Sequence, residues 1–211
     1  IDDLERTKRR VYGLYLTIVY YTGMRPKEAL GLRWKDIQPI ATESKEDQRV
    51  NRSIFIPAEN AKTGRSRHLV APVAIQFERV REHYKKLRIE INPEDYVFIN
   101  LSKTKRGTNT PYNQPAMEKR LKACLIGSGL QSKLDETGRH ITQYSARHYA
   151  AVDALMRGVS VYDVAMNLGT SIHYLEKTYT RQLTAMMKQK DITKGQGYWK
   201  TLEEREEETI K

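Results

Sequence analysis

A mainly α fold with a small antiparallel β-hairpin sheet is predicted by three features of this 211-residue chain. Apolar side chains recur at helical spacing along several stretches. Two short runs of strand-forming residues flank a basic, Gly-containing turn. Gly23, Gly158 and Gly169 fall where helical stretches end, and Pro26 and Pro72 fall where others begin.

Val11, Leu14, Tyr15, Ile18 and Val19 predict one buried face on a helix over Leu4–Tyr21, ended by Thr22-Gly23. Pro26 suits the first position of a short helix carrying Glu28, Ala29, Leu30 and Leu32. The polar stretch Pro39–Arg52 reads as a loop. Ser53–Ile56 and His68–Ala71 read as paired strands, with Lys62-Thr-Gly-Arg-Ser66 at the tip between them. A helix follows Pro72, with Val73, Phe77, Val80, Tyr84 and Leu87 as its apolar stripe. Tyr96–Ile99 suggests a short strand, Lys103–Asn109 an exposed basic loop, and Pro115–Ile126 a helix. The densest helical region is Gln143–Met156, Ser160–Leu168 and Ser171–Tyr179, with Ser160 and Asp163 as a loose capping box. The tail beyond carries an acidic run over 203–208 and reads as helical and solvated. Neither an internal repeat nor a low-complexity linker divides the chain.

Hydrophobic residues make up 39% of the chain, enough for a real core. Lys and Arg number 37 against 26 Asp and Glu, a formal net charge of +11. Such an excess points to a polyanionic partner, nucleic acid first and acidic membrane second. The single cysteine, Cys124, forms no internal disulfide, so nothing indicates an oxidising compartment. No apolar run approaches the roughly 18 residues of a membrane span. Because the chain starts at Ile1 rather than Met, a longer parent protein is expected.

Four groups of residues carry chemical potential. Arg25 follows a turn and precedes a helix, where its guanidinium and free backbone N–H groups favour an anion, and Glu28 lies on the same helical face. Lys62 sits at the hairpin tip, able to contact phosphate or to give a proton to a leaving alkoxide. Tyr144 and Arg147, three residues apart, share a helical face; Arg147 offers a planar fork for phosphate oxygens and Tyr144 a hydroxyl donor. Leu168-Gly169-Thr170 precedes Tyr179, one of 13 tyrosines. Taken singly, each reads better as ordinary surface: an exposed salt bridge, a solvated hairpin, a helix face, an unremarked tyrosine. His148 is one residue beyond Arg147 and so turns to another side of the helix, where packing is the simpler reading.

Their order and phrasing resemble the catalytic domain of the tyrosine recombinases, the phage integrase family. Thr22, Gly23, Arg25, Glu28, Leu32, Trp34, Asp36 and Ile37 match its first box. Lys62 matches the hairpin lysine, Arg147 and His148 the His-x-x-Arg-His box, and Leu168, Gly169 and Tyr179 the last. The resemblance covers about Leu4 to Arg181. Two positions depart: Tyr144 stands where the family has His, and Thr170 where it has His or Trp. Both keep a hydroxyl donor and leave the general base unassigned, since a phenol with a pKa near ~10 is a poor base at neutral pH.

The resemblance implies the tyrosine recombinase catalytic-domain fold over residues 1–181, with 182–211 a tail that neighbouring protomers exchange, that folds back in cis, or that is disordered. A helical core-binding domain would precede Ile1. It implies site-specific cleavage and rejoining of duplex DNA at attachment sites of a mobile element, through a 3′-phosphotyrosine at Tyr179. Arg25, Tyr144, Arg147 and Thr170 would bind phosphate, Lys62 would act as acid, and Glu28 and His148 would support them. Arg65, Arg67, Lys103, Lys105 and Arg106 are expected DNA contacts. No cofactor or metal is expected. The implied assembly is a tetramer on DNA and a monomer or weak oligomer without it, in the cytoplasm and at the nucleoid of a bacterial host. A type IB topoisomerase and a non-catalytic DNA-binding protein on the same fold are the alternatives.

Overall fold

The computed structural model describes residues 3–102 and 109–179. Lys103, Lys105, Arg106 and the tail 182–211 with its acidic run lie outside the described residues.

The chain opens with α1 (Asp3–Thr22). Of the predicted apolar stripe, Val11, Tyr15, Ile18 and Val19 are fully buried and Leu14 is half-buried against the same core. Each large apolar side chain so buried stabilises the fold by ~1.5–3 kcal/mol. Gly23 ends the helix at φ +62, and the extended Arg25 leads directly into α2 (Pro26–Leu30). A Cβ on Gly23 would run into the Leu168 side chain and lie 3.3 Å from Ala150 Cβ, so the reversal also needs glycine for space.

Three strands form one antiparallel sheet in the order β1 (Ile37–Gln38), β2 (Arg52–Ile56), β3 (Arg67–Ala71). Ile54 pairs with Leu69 and Ile56 with Arg67 across β2–β3, as the hairpin reading requires. The sheet is larger than that hairpin by β1, a two-residue strand whose Ile37 pairs with Ile54. The stretch 39–51 is irregular apart from one 3₁₀ turn at Asp47–Arg49, and Arg52, expected in the loop, already belongs to β2. The helix α3 (Ala74–Lys86) buries Phe77, Val80 and Tyr84 against α1 and the sheet. Tyr96–Ile99 is extended but makes only isolated bridges, Tyr96 to Arg33 and Ile99 to Pro111.

Next come α4 (Gln114–Gly127), α5 (Leu130–Thr137), α6 (Gln143–Met156), α7 (Val161–Leu168) and a further helix over 172–179, termed α8. Asn113 caps α4 by accepting from Ala116 N at 2.9 Å, and Ser160 caps α7 by accepting from Asp163 N at 3.1 Å. The α1–α6 contact is pinned inside by the Tyr15 hydroxyl, which donates to Gln143 Oε1 at 2.5 Å.

The buried residues fall into two clusters. The larger is built from α1, α2, the sheet, α3 and α4. The smaller holds Ala151, Leu155, Val164, Ala165, Leu168, Leu175 and Tyr179, from α6, α7 and α8. The candidate site lies along the seam between them. Among the described residues no helix is long and apolar enough to cross a membrane.

Candidate active site

The site begins at the N-terminus of α2. Arg25 holds extended backbone just ahead of Pro26. Its backbone N–H donates to Glu28 Oε2 at 2.9 Å, and its Nη1 donates to Glu28 Oε1 at 2.8 Å. The reading of this pair as a surface salt bridge does not hold, because the Glu28 side chain is 0% exposed. A second guanidinium accounts for that burial. Arg67, the first residue of β3, donates from Nη1 to Glu28 Oε1 and from Nη2 to Glu28 Oε2, both at 2.9 Å. This is a two-pronged arginine–carboxylate pair, the strong geometry for such contacts. Burial works against the charge of Glu28, but the hydrogen bonds and charge of Arg67, with those of Arg25, outweigh it and hold the carboxyl below its usual value.

Arg147 reaches the same place from α6. It is 8% exposed and donates from Nη1 to Gly23 O at 2.6 Å and from Nη2 to Leu168 O at 2.8 Å. Arg25 Nη2 takes the next carbonyl, Gly169 O, at 2.8 Å. The two arginines thus tie the turn after α1 to the turn after α7. Burial, then the charges of Arg25 and Arg67, push Arg147 down to about 10, so it remains charged at pH 7. Three guanidiniums face one carboxylate. A guanidinium has five N–H donors, and those that Arg25 and Arg147 do not use within the chain suit a tetrahedral anion.

Gly169 is shaped by this cluster. It ends α7 in the left-handed region, φ 62 and ψ 53. A Cβ there would lie 2.6 Å from Arg67 Cζ and Nε, so the guanidinium rests on the bare glycine face. Asn167 completes the seam. Its Oδ1 accepts from Val70 N at 2.8 Å and its Nδ2 donates to Val70 O at 3.2 Å, covering the free edge of β3 as another strand would.

Tyr179 closes the group from α8. It is 4% exposed, and its hydroxyl lies 2.6 Å from His148 Nδ1. The two rings meet edge to face, with centroids 5.8 Å apart. Burial pushes the phenol pKa up and Tyr174 adds to this, while Arg147 pulls it down. Burial and the charge of Arg147 hold His148 below its usual value, so the imidazole is neutral at pH 7. A neutral ring with its proton on Nε2 accepts the tyrosine hydrogen at Nδ1.

The structure therefore brings Arg25, Glu28, Arg147, His148 and Tyr179 together. Thr170 is half-buried in the turn between α7 and α8, and Tyr144 is exposed near the start of α6. Lys62 and Arg65 are exposed on the turn between β2 and β3. Arg67, expected as a DNA contact, is turned inward onto Glu28. Reading the sequence missed three things: the Arg67–Glu28 pair, the carbonyls of Gly23, Leu168 and Gly169, and the His148–Tyr179 contact. Only the last had a local signal, the histidine beside Arg147. Among the described residues no three His, Cys, Asp or Glu side chains are grouped as metal ligands.

No curated protein matches the chain. Among solved structures it is similar to the XerH site-specific recombinase bound to difH substrate in a pre-cleavage complex. That match is 19% identical with a TM-score of 0.55, covering 83% of this chain and 43% of that one. A post-cleavage complex of XerH on palindromic difH matches at 18% identity and TM-score 0.60, covering 92% and 48%. The XerA recombinase matches at 18% and 0.53, covering 86% and 64%. The chain thus spans roughly half the length of these proteins, and at such identities the likeness is one of fold. The model of the phage integrase family matches residues 3–186, which takes in every residue of the seam, and the chain belongs to that family.

Proposed function

We propose that this chain is the catalytic domain of a site-specific DNA recombinase that cleaves and rejoins duplex DNA through a 3′-phosphotyrosine at Tyr179. The observation that carries the reading is a buried tyrosine hydroxyl docked beside an arginine cluster whose positive charge exceeds its carboxylate. A phosphodiester repels nucleophiles, and its transition state gathers charge on the non-bridging oxygens. Arg25 and Arg147 meet that charge from positions already fixed by backbone carbonyls, so little reorganisation is needed. Tyr144 and Thr170 add hydroxyl donors as the DNA seats. The Tyr179 oxygen attacks phosphorus and the 5′ oxygen departs, taking a proton from Lys62 on the exposed β2–β3 turn. The covalent link conserves the energy of the broken bond, so rejoining needs no nucleotide cofactor. Affinity rests on Lys and Arg against phosphates and falls steeply with salt. Strand exchange takes place in a tetramer on two duplexes.

The test uses the full-length protein and a duplex nicked near the cleavage site, which traps the adduct. Wild type is expected to form a protein–DNA adduct and Tyr179→Phe to form none while still binding DNA. Absence of adduct in wild type overturns the reading in favour of DNA binding alone. Adduct formation with relaxation but no exchange between duplexes assigns a topoisomerase instead.

A further inference from the structure

The family pattern leaves this chain without a base, because Tyr144 replaces the first histidine of its box and is exposed. We propose that His148 is a catalytic residue, the base that takes the hydroxyl proton of Tyr179 through Nδ1. The inference rests on the recombinase reading above and supplies the proton acceptor that reading lacks.

Geometry comes first. A general base must stand within hydrogen-bond reach of the proton it removes, about 2.6–3.2 Å between heavy atoms. His148 Nδ1 stands 2.6 Å from the Tyr179 oxygen. Among the described residues that oxygen has no other hydrogen-bond partner. The two side chains come from different helices, α6 and α8, and meet in a cleft lined by His148, Tyr149, Val152, Thr178 and Tyr179. His148 is also covalently next to Arg147, which draws in the phosphate, so base and anion site move as one piece of helix. The neutral imidazole described above is the form that accepts a proton.

The step balances. The Tyr179 O–H bond breaks as Nδ1–H forms, and the freed oxygen pair makes the bond to phosphorus. The bond from phosphorus to the 5′ oxygen breaks, and that oxygen takes a proton from Lys62. On rejoining, the 5′ hydroxyl returns its proton to Lys62, and the imidazolium of His148 returns its proton to the departing Tyr179 oxygen.

The charged and titratable groups around His148 are Arg147 and Tyr149 on α6 and Tyr179 and Tyr174 on α8, with Arg25, Glu28 and Arg67 behind Arg147. Histidine alone among these side-chain types ordinarily titrates between about pH 5 and 8. Single-turnover cleavage by full-length wild type is therefore expected to fall tenfold per pH unit below the His148 value.

His148→Asn keeps an acceptor near the Nδ1 position but cannot hold a proton. It is expected to cleave roughly 10²-fold more slowly, the low end for general-base catalysis, and to lose the acidic arm while binding DNA as wild type does. Free imidazole is expected to restore part of the rate to His148→Ala. A substrate with sulfur in place of the departing 5′ oxygen needs no acid. It is expected to rescue Lys62→Ala and to leave His148→Asn slow. The exposed His173, on the same helix as Tyr179, gives the control variant His173→Asn. The proposal is overturned if the wild-type profile has no acidic arm, or if His148→Asn cleaves within threefold of wild type with an unchanged profile. If His148→Asn does not fold, the wild-type pH profile with the sulfur substrate, where Lys62 no longer contributes, decides the matter: a retained acidic arm supports the proposal and its absence overturns it. Wild type forming no adduct at any pH sinks the recombinase reading instead, a separate result.

Discussion

The two halves of the site are held very differently. The arginine half is a lattice: Glu28 takes two guanidiniums, and Arg25 and Arg147 together grip the carbonyls of Gly23, Leu168 and Gly169. The tyrosine half is one hydrogen bond, His148 to Tyr179, on a helix seated in the smaller of the two cores. The difference matches what the proposed function asks of each half. Groups that meet a developing charge work best when fixed beforehand. A nucleophile that must bond to DNA and later let go cannot be fixed as firmly.

The largest expected effect comes from breaking the lattice at its centre. Glu28→Ala leaves Arg25 and Arg67 facing each other without their carboxylate. Removing one partner of a buried ion pair costs about 3–5 kcal/mol, and urea unfolding is expected to show a loss of that size. Tyr179→Phe, which removes only the single hydrogen bond, is expected to cost about 1 kcal/mol in the same assay. Equal losses would mean the halves are not unlike after all.

A middle-sized effect is expected from Gly169→Ala. The added methyl must displace a guanidinium pinned by Glu28 and by the Asn167 carbonyl, 3.3 Å from Arg67 Nε. The left-handed backbone adds strain. Together these are expected to cost roughly 1–3 kcal/mol, read as a lowered midpoint of thermal unfolding, with cleavage reduced as well. A variant as stable as wild type would show that Arg67 is free to move.

The smallest effect is one of order rather than size. His148 has a lowered folded pKa, so its contribution is present above the unfolded value, near ~6.5, and is lost as pH falls through the folded value. Glu28 is also lowered, so its contribution persists down to about pH 4.3 and is lost below that, through its own folded value. Acidification is therefore expected to loosen α8 before α2. Amide exchange of the two helices followed from pH 7 to pH 4 checks this, and simultaneous loosening would contradict it.

What could be read beforehand follows the range of the interactions involved. The helix Gln143–Met156 is found at the residues predicted, since its signals are local. Glu28 beside Arg25 was visible too, being three residues away. Its second partner was not, because Arg67 arrives through the hairpin, and no spacing rule links a helix carboxylate to the first residue of a distant strand. The backbone carbonyls were invisible for a different reason: every residue has one, and only the fold selects three. For His148, one step along a helix rotates a side chain by about 100°, which turns it away from the partners of Arg147 but toward α8. The short helix α5 went unread although Gly129 and Gly138, both left-handed, bracket it; Leu134 is the only residue it buries. A two-residue β1 is below what alternation can reveal.

The bonds of the arginine lattice join residues far apart along the chain: 144 positions for Arg25 and Gly169, 124 for Arg147 and Gly23, 39 for Arg67 and Glu28. Contacts of such range form late, because the loops they close must first be paid for in entropy. During synthesis Arg25 emerges long before the carbonyl it will hold, and the anion site cannot close until the turn after α7 has left the ribosome. Tyr179 emerges about ten residues later still. An unfinished or unfolded chain thus has neither the arginine lattice nor the phenol in place, and under the proposed function cleavage waits for α8 to arrive.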